Sequence, residues 1–463
     1  MDEPLWLAEE AAAATCGRLI GADAWIASGV SIDTRSLEKG DLFVALQDAR
    51  DGHDFLEQAF AAGAAAALVS DGAKAAPFGP ALVVADVLEG LRRLGEAGRD
   101  RSPARRIAVT GSVGKTSTKE ALAACLRASG ATHASVKSYN NHWGVPLTLA
   151  RMPASSAYGV FEMGMNHRGE IAPLARLVRP HIALVTWIAP AHIEHMGSLE
   201  AIADEKGDLF LGLEPDGVAL VPNEAPMAAR LMARAEEAAS AVIRFGWDEG
   251  CEARLISFEM DDEGAHAEAD ILGRKIRYRI GAAGAHWALN SVAALTAADL
   301  AGGDLFAAAH ALADFKSLDG RGAARRIEAP FGAITLIDDS YNANPVSMGA
   351  AFETLAARKA EGRRIAALGD MLELGPEERA IHAALAGPIE RAGIDLVFAA
   401  GPRMAALWDA LPPTRRGGYA ETADALAPLV TGALRSGDVV LVKGSNGARM
   451  ARVVEAVNNL AGR

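Results

Sequence analysis

IAVTGSVGKTSTKEAL, residues 107–122, decides how this chain is read. An apolar run enters a glycine turn and leaves it as a helix-forming segment. Such a junction aims backbone N–H groups and the positive end of a helix dipole at one point, which suits an anion. Lys115 adds a point charge for the outer phosphates of a nucleotide, and Thr116 adds a hydroxyl able to sit on magnesium. The longer consensus has a glycine where Val109 stands, so Gly111 and Gly114 define a shorter phosphate loop. Gly111, Ser112, Val113, Gly114, Lys115, Thr116 and Ser117 are therefore the candidate ATP-binding stretch. A chance GKT in a surface loop is the bland alternative, and the strand-to-helix context argues against it.

Outward from the loop, RDRSPARR (99–106) reads as a linker, preceded by about 100 residues in which apolar runs such as DLFVAL (41–46) and ALVVADV (81–87) alternate with alanine-rich segments. Downstream, YGVFEMG (158–164), HIALVTWI (181–188) and GVALVPN (217–223) alternate with helical patterns, as in an α/β domain with a parallel sheet. Between 242 and 280 the pattern shifts to short β-prone runs and turns, which predicts an antiparallel insert or edge. A helix is expected from Trp287 to about Ala301. After LDGRGAARR the alternation restarts in AITLIDD, RRIAALGD, DLVFAAG and VVLVKG. The expectation is an α/β fold of three domains: a small α/β domain at 1–103, a phosphate-loop ATPase domain with a parallel sheet at 104–322, and a Rossmann-like domain at 323–463.

Composition agrees with several cores, since 463 residues exceed what one core usually serves. The 46 basic and 59 acidic side chains give a net charge of −13, which argues against a general grip on nucleic acid or anionic lipid. Cys16, Cys125 and Cys251 form no CxxC pair, so neither a disulfide framework nor a zinc knuckle is expected. An acidic beginning, MDEPLWLAEE, does not resemble a signal peptide, and no apolar run reaches membrane-spanning length. A cytoplasmic protein without membrane insertion is expected.

TGSVGKTS has the form found in the Mur ligases, and further segments resemble that family in order. They are SIDTRSLEKGDLFVAL (31–46), DGHDF (51–55), SYNNHWGVPLTL (138–149), EMGMNHRGEI (162–171), AHIEHMGS (191–198), GAHWALN (284–290), DDSYNANP (338–345), LGDMLELG (368–375) and LVKGSNG (441–447). DDSYNANP and LGDMLELG are most like the dipeptide-adding branch. The resemblance implies an ATP- and magnesium-dependent ligase that adds D-alanyl-D-alanine to UDP-N-acetylmuramoyl-tripeptide through an acyl phosphate, with small-molecule partners and a monomeric state. The alternatives are a sibling adding a single amino acid, either to the same precursor or to folate, and an ATP-binding scaffold without catalysis.

The same resemblance implies roles for individual residues. Thr116, Glu162 and His192 would hold magnesium, and Lys206 could carry a carbamate. Lys115, Glu162, His192, Lys206 and Arg321 form the implied catalytic set, with Arg321 reaching the γ-phosphate. Asn290 would contact adenine and Asp339 the ribose. Ser31, Thr34 and Arg35 would hold the uridine diphosphate, Asn140 and Asn141 the muramyl-peptide, Tyr341, Asn342 and Asn344 would lie close to the reacting ends, and Lys443 near the peptide or the amine. Asp370 and Glu373 would shape the site from the third domain, and Ser445 would lie near the amine. A zinc site through His192 and His195 is discounted for want of further ligands. Two positions depart from the family pattern: Asp48 replaces a glycine, and Asn446 replaces an arginine whose loss Arg449 would make good.

Overall fold

Three larger sheets and a two-stranded pair, Trp6–Leu7 with Ile26–Ala27, organise the described residues of a computed structural model, which describes residues 4–462 except 137, 262, 263, 283 and 285. The largest has nine strands among the described residues. Strand Arg105–Thr110 lies inside it, parallel to Tyr158–Glu162 on one side and Ile182–Val185 on the other. Ile107, Ala108 and Val109 are fully covered, as an unbroken apolar run should be when helices cover both faces of a parallel sheet. Val218–Pro222, Ala241–Gly246 and Ala253–Met260 continue the parallel order. Ala265–Ile271 and Arg274–Ile280 then turn antiparallel, the edge expected from the change in pattern after 242. Helix His286–Leu300 packs its buried face on this sheet.

A five-stranded sheet forms the first unit, and Arg18–Ile20 is its one antiparallel strand among the described residues. It is fastened to the central unit by helix Val87–Asp100 lying against helix Gly144–Ala150. The approach is close: a Cβ at Gly98 would stand 2.5 Å from the Leu149 carbonyl oxygen. Trp6 adds to the seam by donating from Nε1 to the Ala150 carbonyl at 2.8 Å beneath the Arg101 guanidinium.

The last unit has a sheet of six strands among the described residues. Gly332–Asp339, Val439–Lys443, Arg364–Gly369 and Leu396–Ala400 answer to the four apolar runs of the sequence. Two strands had no such signal. Ala323–Ala329 is an antiparallel edge on which Arg325 and Arg326 look like solvated charge, and Arg416–Ala420 is glycine-rich. Among the described residues no helix is long and apolar enough to cross a membrane.

Candidate active site

The carboxyl ends of the central parallel strands meet the last unit in a cavity of about 640 Å³. Such ends, where neighbouring connections diverge, are where open α/β sheets bind ligands. Strand Arg105–Thr110 delivers the phosphate loop there. Gly111 has φ +154, and a Cβ on it would lie 1.9 Å from Thr186 Oγ1; Gly114 has φ +81. Both positions need glycine, which spares the turn a steric cost. Ser112 donates its hydroxyl to the Ala189 carbonyl, and Thr186 donates to the Val113 carbonyl, so the loop is held from behind. Ser112 to Ser117 all line the cavity, and helix Lys115–Arg127 begins on it.

Lys115 Nζ donates to the Gly111 carbonyl at 2.8 Å and has no carboxylate partner among the described residues. Burial lowers its pKa; Glu162 opposes that shift and Arg321 adds to it. Glu162 ends strand Tyr158–Glu162 and is buried. Asn140 Nδ2 donates to its Oε1 at 2.7 Å, while Oε2 is buried with no hydrogen-bond partner. Gly164 makes room for this, because a Cβ there would press within 2.8 Å of the Asn140 side chain. An orphaned carboxylate oxygen and the Thr116 hydroxyl, on residues that line the same cavity, are donors suited to magnesium, with His192 a softer third candidate. Among the described residues no cluster of three or more His, Cys, Asp or Glu side chains could hold a metal alone.

His192 lines the same cavity from a backbone with φ +59. Its Nδ1 meets Glu373 Oε2 of the last unit. Burial lowers the imidazole pKa, opposed by Glu373 and reinforced by Lys115 and Lys206, and against a carboxylate Nδ1 is the donor. Lys206 does not line the cavity. It is buried behind it on helix Leu199–Gly207, with a pKa well below the ordinary value because of burial and the nearby Lys115. Its neighbour Glu205 is occupied, accepting from the N–H groups of Gly169 and Ile171.

Arg321 stands between the two units. Its Nη2 donates to Ser138 Oγ at 3.2 Å, and its guanidinium lies 4.1 Å over the Tyr341 ring. Tyr341 also donates to Ser138, at 3.0 Å. Asn290 faces the loop, 3.2 Å from where a Gly114 Cβ would be. Asp339 is engaged by Lys443 Nζ at 2.6 Å, and that ammonium also donates to the Asn342 carbonyl. Burial raises the Asp339 pKa, and Lys443 opposes the shift. Asn141, whose Oδ1 accepts from the Gly144 N–H, and Asn342 line the cavity as well.

Other expected residues lie elsewhere. Ser31, Thr34 and Arg35 belong to the first unit and are outside this cavity; Arg35 is 85% exposed and paired with Asp33. Tyr139 and Trp143 pack on the core of that unit. Asp370 points away to the Met404 N–H and toward Arg403. Ser445 is buried and ties segments together, accepting from the Leu372 N–H and donating to the Ala343 carbonyl. Asn446 and Arg449 are exposed and do not line the cavity, so Arg449 takes no place in it. Ser138 had no signal of its own, being one serine in a quoted segment.

Comparison with known proteins adds to this geometry. Three family models match in order: "Mur ligase family, catalytic domain" over residues 27–101, "Mur ligase middle domain" over 109–298, and "Mur ligase, glutamate ligase domain" over 325–446. The UDP-N-acetylmuramoyl-tripeptide--D-alanyl-D-alanine ligase of Escherichia coli (strain K12) is 36% identical over 450 residues, covering 95% of this chain and 96% of the relative. That of Bacillus subtilis (strain 168) is 33% identical, covering 92% of each. The crystal structure of MurF from Acinetobacter baumannii superposes with a TM-score of 0.85 at 28% identity, covering 100% of this chain and 99% of the other.

Proposed function

The chain belongs to the Mur ligase family, and from that premise we propose that it joins D-alanyl-D-alanine to UDP-N-acetylmuramoyl-tripeptide with ATP as co-substrate, completing the pentapeptide precursor of peptidoglycan. The observation that carries the reading is the meeting of Lys115, Glu162, Asn290 and Arg321 in one cavity between the central and last units. Residues 1–103 bind the UDP-sugar, 104–322 bind ATP, and 323–463 present the amine. The reaction belongs in the cytoplasm, where ATP is found.

A carboxylate resists an amine because its charge repels attack and oxide is a poor leaving group. Transfer of the γ-phosphoryl group to the carboxylate removes both obstacles, and the amine then displaces phosphate. The chain must hold two anions against each other, which is a task of positioning and electrostatics. The loop amides and Lys115 bind the phosphates, and Arg321 meets the γ-phosphoryl from the opposite side. Glu162 and Thr116, with His192 as a third candidate, would hold magnesium, which would supply charge neutralisation for the phosphates. Asn140 keeps Glu162 turned toward the loop. Asn290 contacts adenine, Asp339 the ribose, and Ser31, Thr34 and Arg35 the uridine diphosphate. Asn141, Tyr341, Asn342 and Lys443 frame the reacting ends. Lys206 carries a carbamate, a role supported by its lowered pKa: the neutral amine is the form that takes up carbon dioxide.

Phosphate release with UDP-muramyl-tripeptide, ATP and magnesium tests the reading. Turnover should depend on D-alanyl-D-alanine. Turnover with single amino acids alone would point to a sibling ligase, and no substrate-dependent turnover to a scaffold.

A further inference from the structure

Two residues with left-handed backbones face each other across the boundary between the central and last units. His192 has φ +59 and Glu373 has φ +63. Neither is a glycine, and such conformations persist only where surrounding contacts over-determine them. Here the contacts are mutual. His192 Nδ1 meets Glu373 Oε2, and one turn along, the Glu194 N–H donates to the Glu373 carbonyl at 3.3 Å. Glu373 thus engages the segment 192–194 with both its side chain and its backbone, across 181 residues of sequence.

We propose that Glu373 is a positioning residue for His192, lent by the C-terminal unit. A carboxylate can only accept at that contact, so Nδ1 carries the proton and the Nε2 lone pair is left for the nucleotide half of the cavity. Carboxylate partners of this kind fix the tautomer and ring orientation of functional histidines. His192 belongs to the central unit and its orienter to the last one, so the imidazole is set only while the two are docked. The activity arm of this proposal rests on the ligase reading; the spectroscopic arm does not.

The test compares Glu373→Ala, Glu373→Gly and Glu373→Gln in the full-length protein. Long-range ¹H–¹⁵N spectra of histidine-labelled, ligand-free protein should show His192 protonated at Nδ1 in the wild type and in Glu373→Gln, whose amide oxygen still accepts. That state should be lost in the alanine and glycine variants. Turnover should follow the same order: kcat/KM falls roughly 10- to 100-fold for alanine and glycine and stays within about threefold for glutamine. In a His192→Ala background, Glu373→Ala should cost nothing more. Glycine relieves the positive φ, so a purely conformational role for residue 373 predicts full activity and an unchanged histidine spectrum in Glu373→Gly. Either result would overturn the proposal, as would an Nδ1-protonated His192 in Glu373→Ala. Failure of the wild type to ligate, with the spectra as expected, would sink the reaction and leave the positioning role standing.

Discussion

Replacing Lys115 with methionine should separate catalysis from folding. The Lys115 ammonium makes one hydrogen bond, to the Gly111 carbonyl, and no ion pair. Burial and Arg321 both oppose its charge, with only Glu162 in its favour. A unit charge about 4 Å from a phosphate charge contributes about 4 kcal/mol at an effective permittivity of about 20. At about 1.4 kcal/mol per decade, losing it should lower kcat/KM about a thousandfold, in line with the removal of other preorganised charge-stabilising groups. The ligand-free protein loses one hydrogen bond, worth about 1 kcal/mol, and is relieved of a poorly compensated cation near Lys206 and Arg321. Its melting temperature should stay within about 4 °C of the wild type. Phosphate release and thermal melting, run on one preparation, read both quantities. A variant keeping more than about a tenth of the activity would refute the phosphate role. A fall of about 8 °C or more would show that the lysine is structural.

Asn140→Ala removes the hydrogen bond that turns Glu162, so kcat/KM should fall roughly 10- to 100-fold with the KM for D-alanyl-D-alanine unchanged; a selective rise in KM for the muramyl substrate would return Asn140 to sugar binding. Lys206 has a folded pKa below 10.5, so the folded state binds fewer protons than the unfolded chain between that lowered value and 10.5. The burial penalty is full below the window and is relieved as pH rises through it. In carbon-dioxide-free buffer, denaturant unfolding should therefore show the wild type gaining stability on Lys206→Met with rising pH, and parallel curves would refute this. Gly98→Val should destabilise the protein by roughly 1–3 kcal/mol by forcing atoms against the Leu149 carbonyl; limited proteolysis should then release residues 1–103 first, and wild-type resistance would show that the seam yields freely.

The parts of the fold legible in the sequence are those in which one local rule decides. The phosphate loop needs glycines at 111 and 114 for backbone reasons, and the buried parallel strands need unbroken apolar runs, so both appear in a window of a few residues. Strand Ala323–Ala329 escaped notice because this edge strand of the last sheet exposes Arg326 and Glu328 and turns Arg325 to Asp319 and Asp338, so its charged residues copy a loop. Lys115, Glu162, His192, Asn290 and Arg321, singled out in the sequence, line one cavity, but their pairings were not legible. Asn140 reaches Glu162 over 22 residues and Arg321 reaches Ser138 over 183, and nothing local in either partner states the other. Asp370 and Ser445 show the converse: a polar residue in a distinctive segment can be there to satisfy buried backbone groups.

The site also explains how a chain of net charge −13 handles anionic substrates. Some of its cations are already neutralised, Arg35 by Asp33 and Lys443 by Asp339. Among the described residues Lys115, Lys206 and Arg321 make no ion pair. Lys115 lowers the pKa of Lys206, and Arg321 lowers that of Lys115. Arg321 sits where the last unit meets the central one, so docking the two brings uncompensated positive charges together. A polyphosphate placed among them turns that repulsion into attraction. Linkage makes the effect reciprocal: whatever free energy docking contributes to nucleotide binding, the nucleotide contributes to docking. The acidic surface then matters little to the chemistry, because the nucleotide responds to a small pocket in which Lys115 and Arg321 are held by neutral groups rather than by carboxylates.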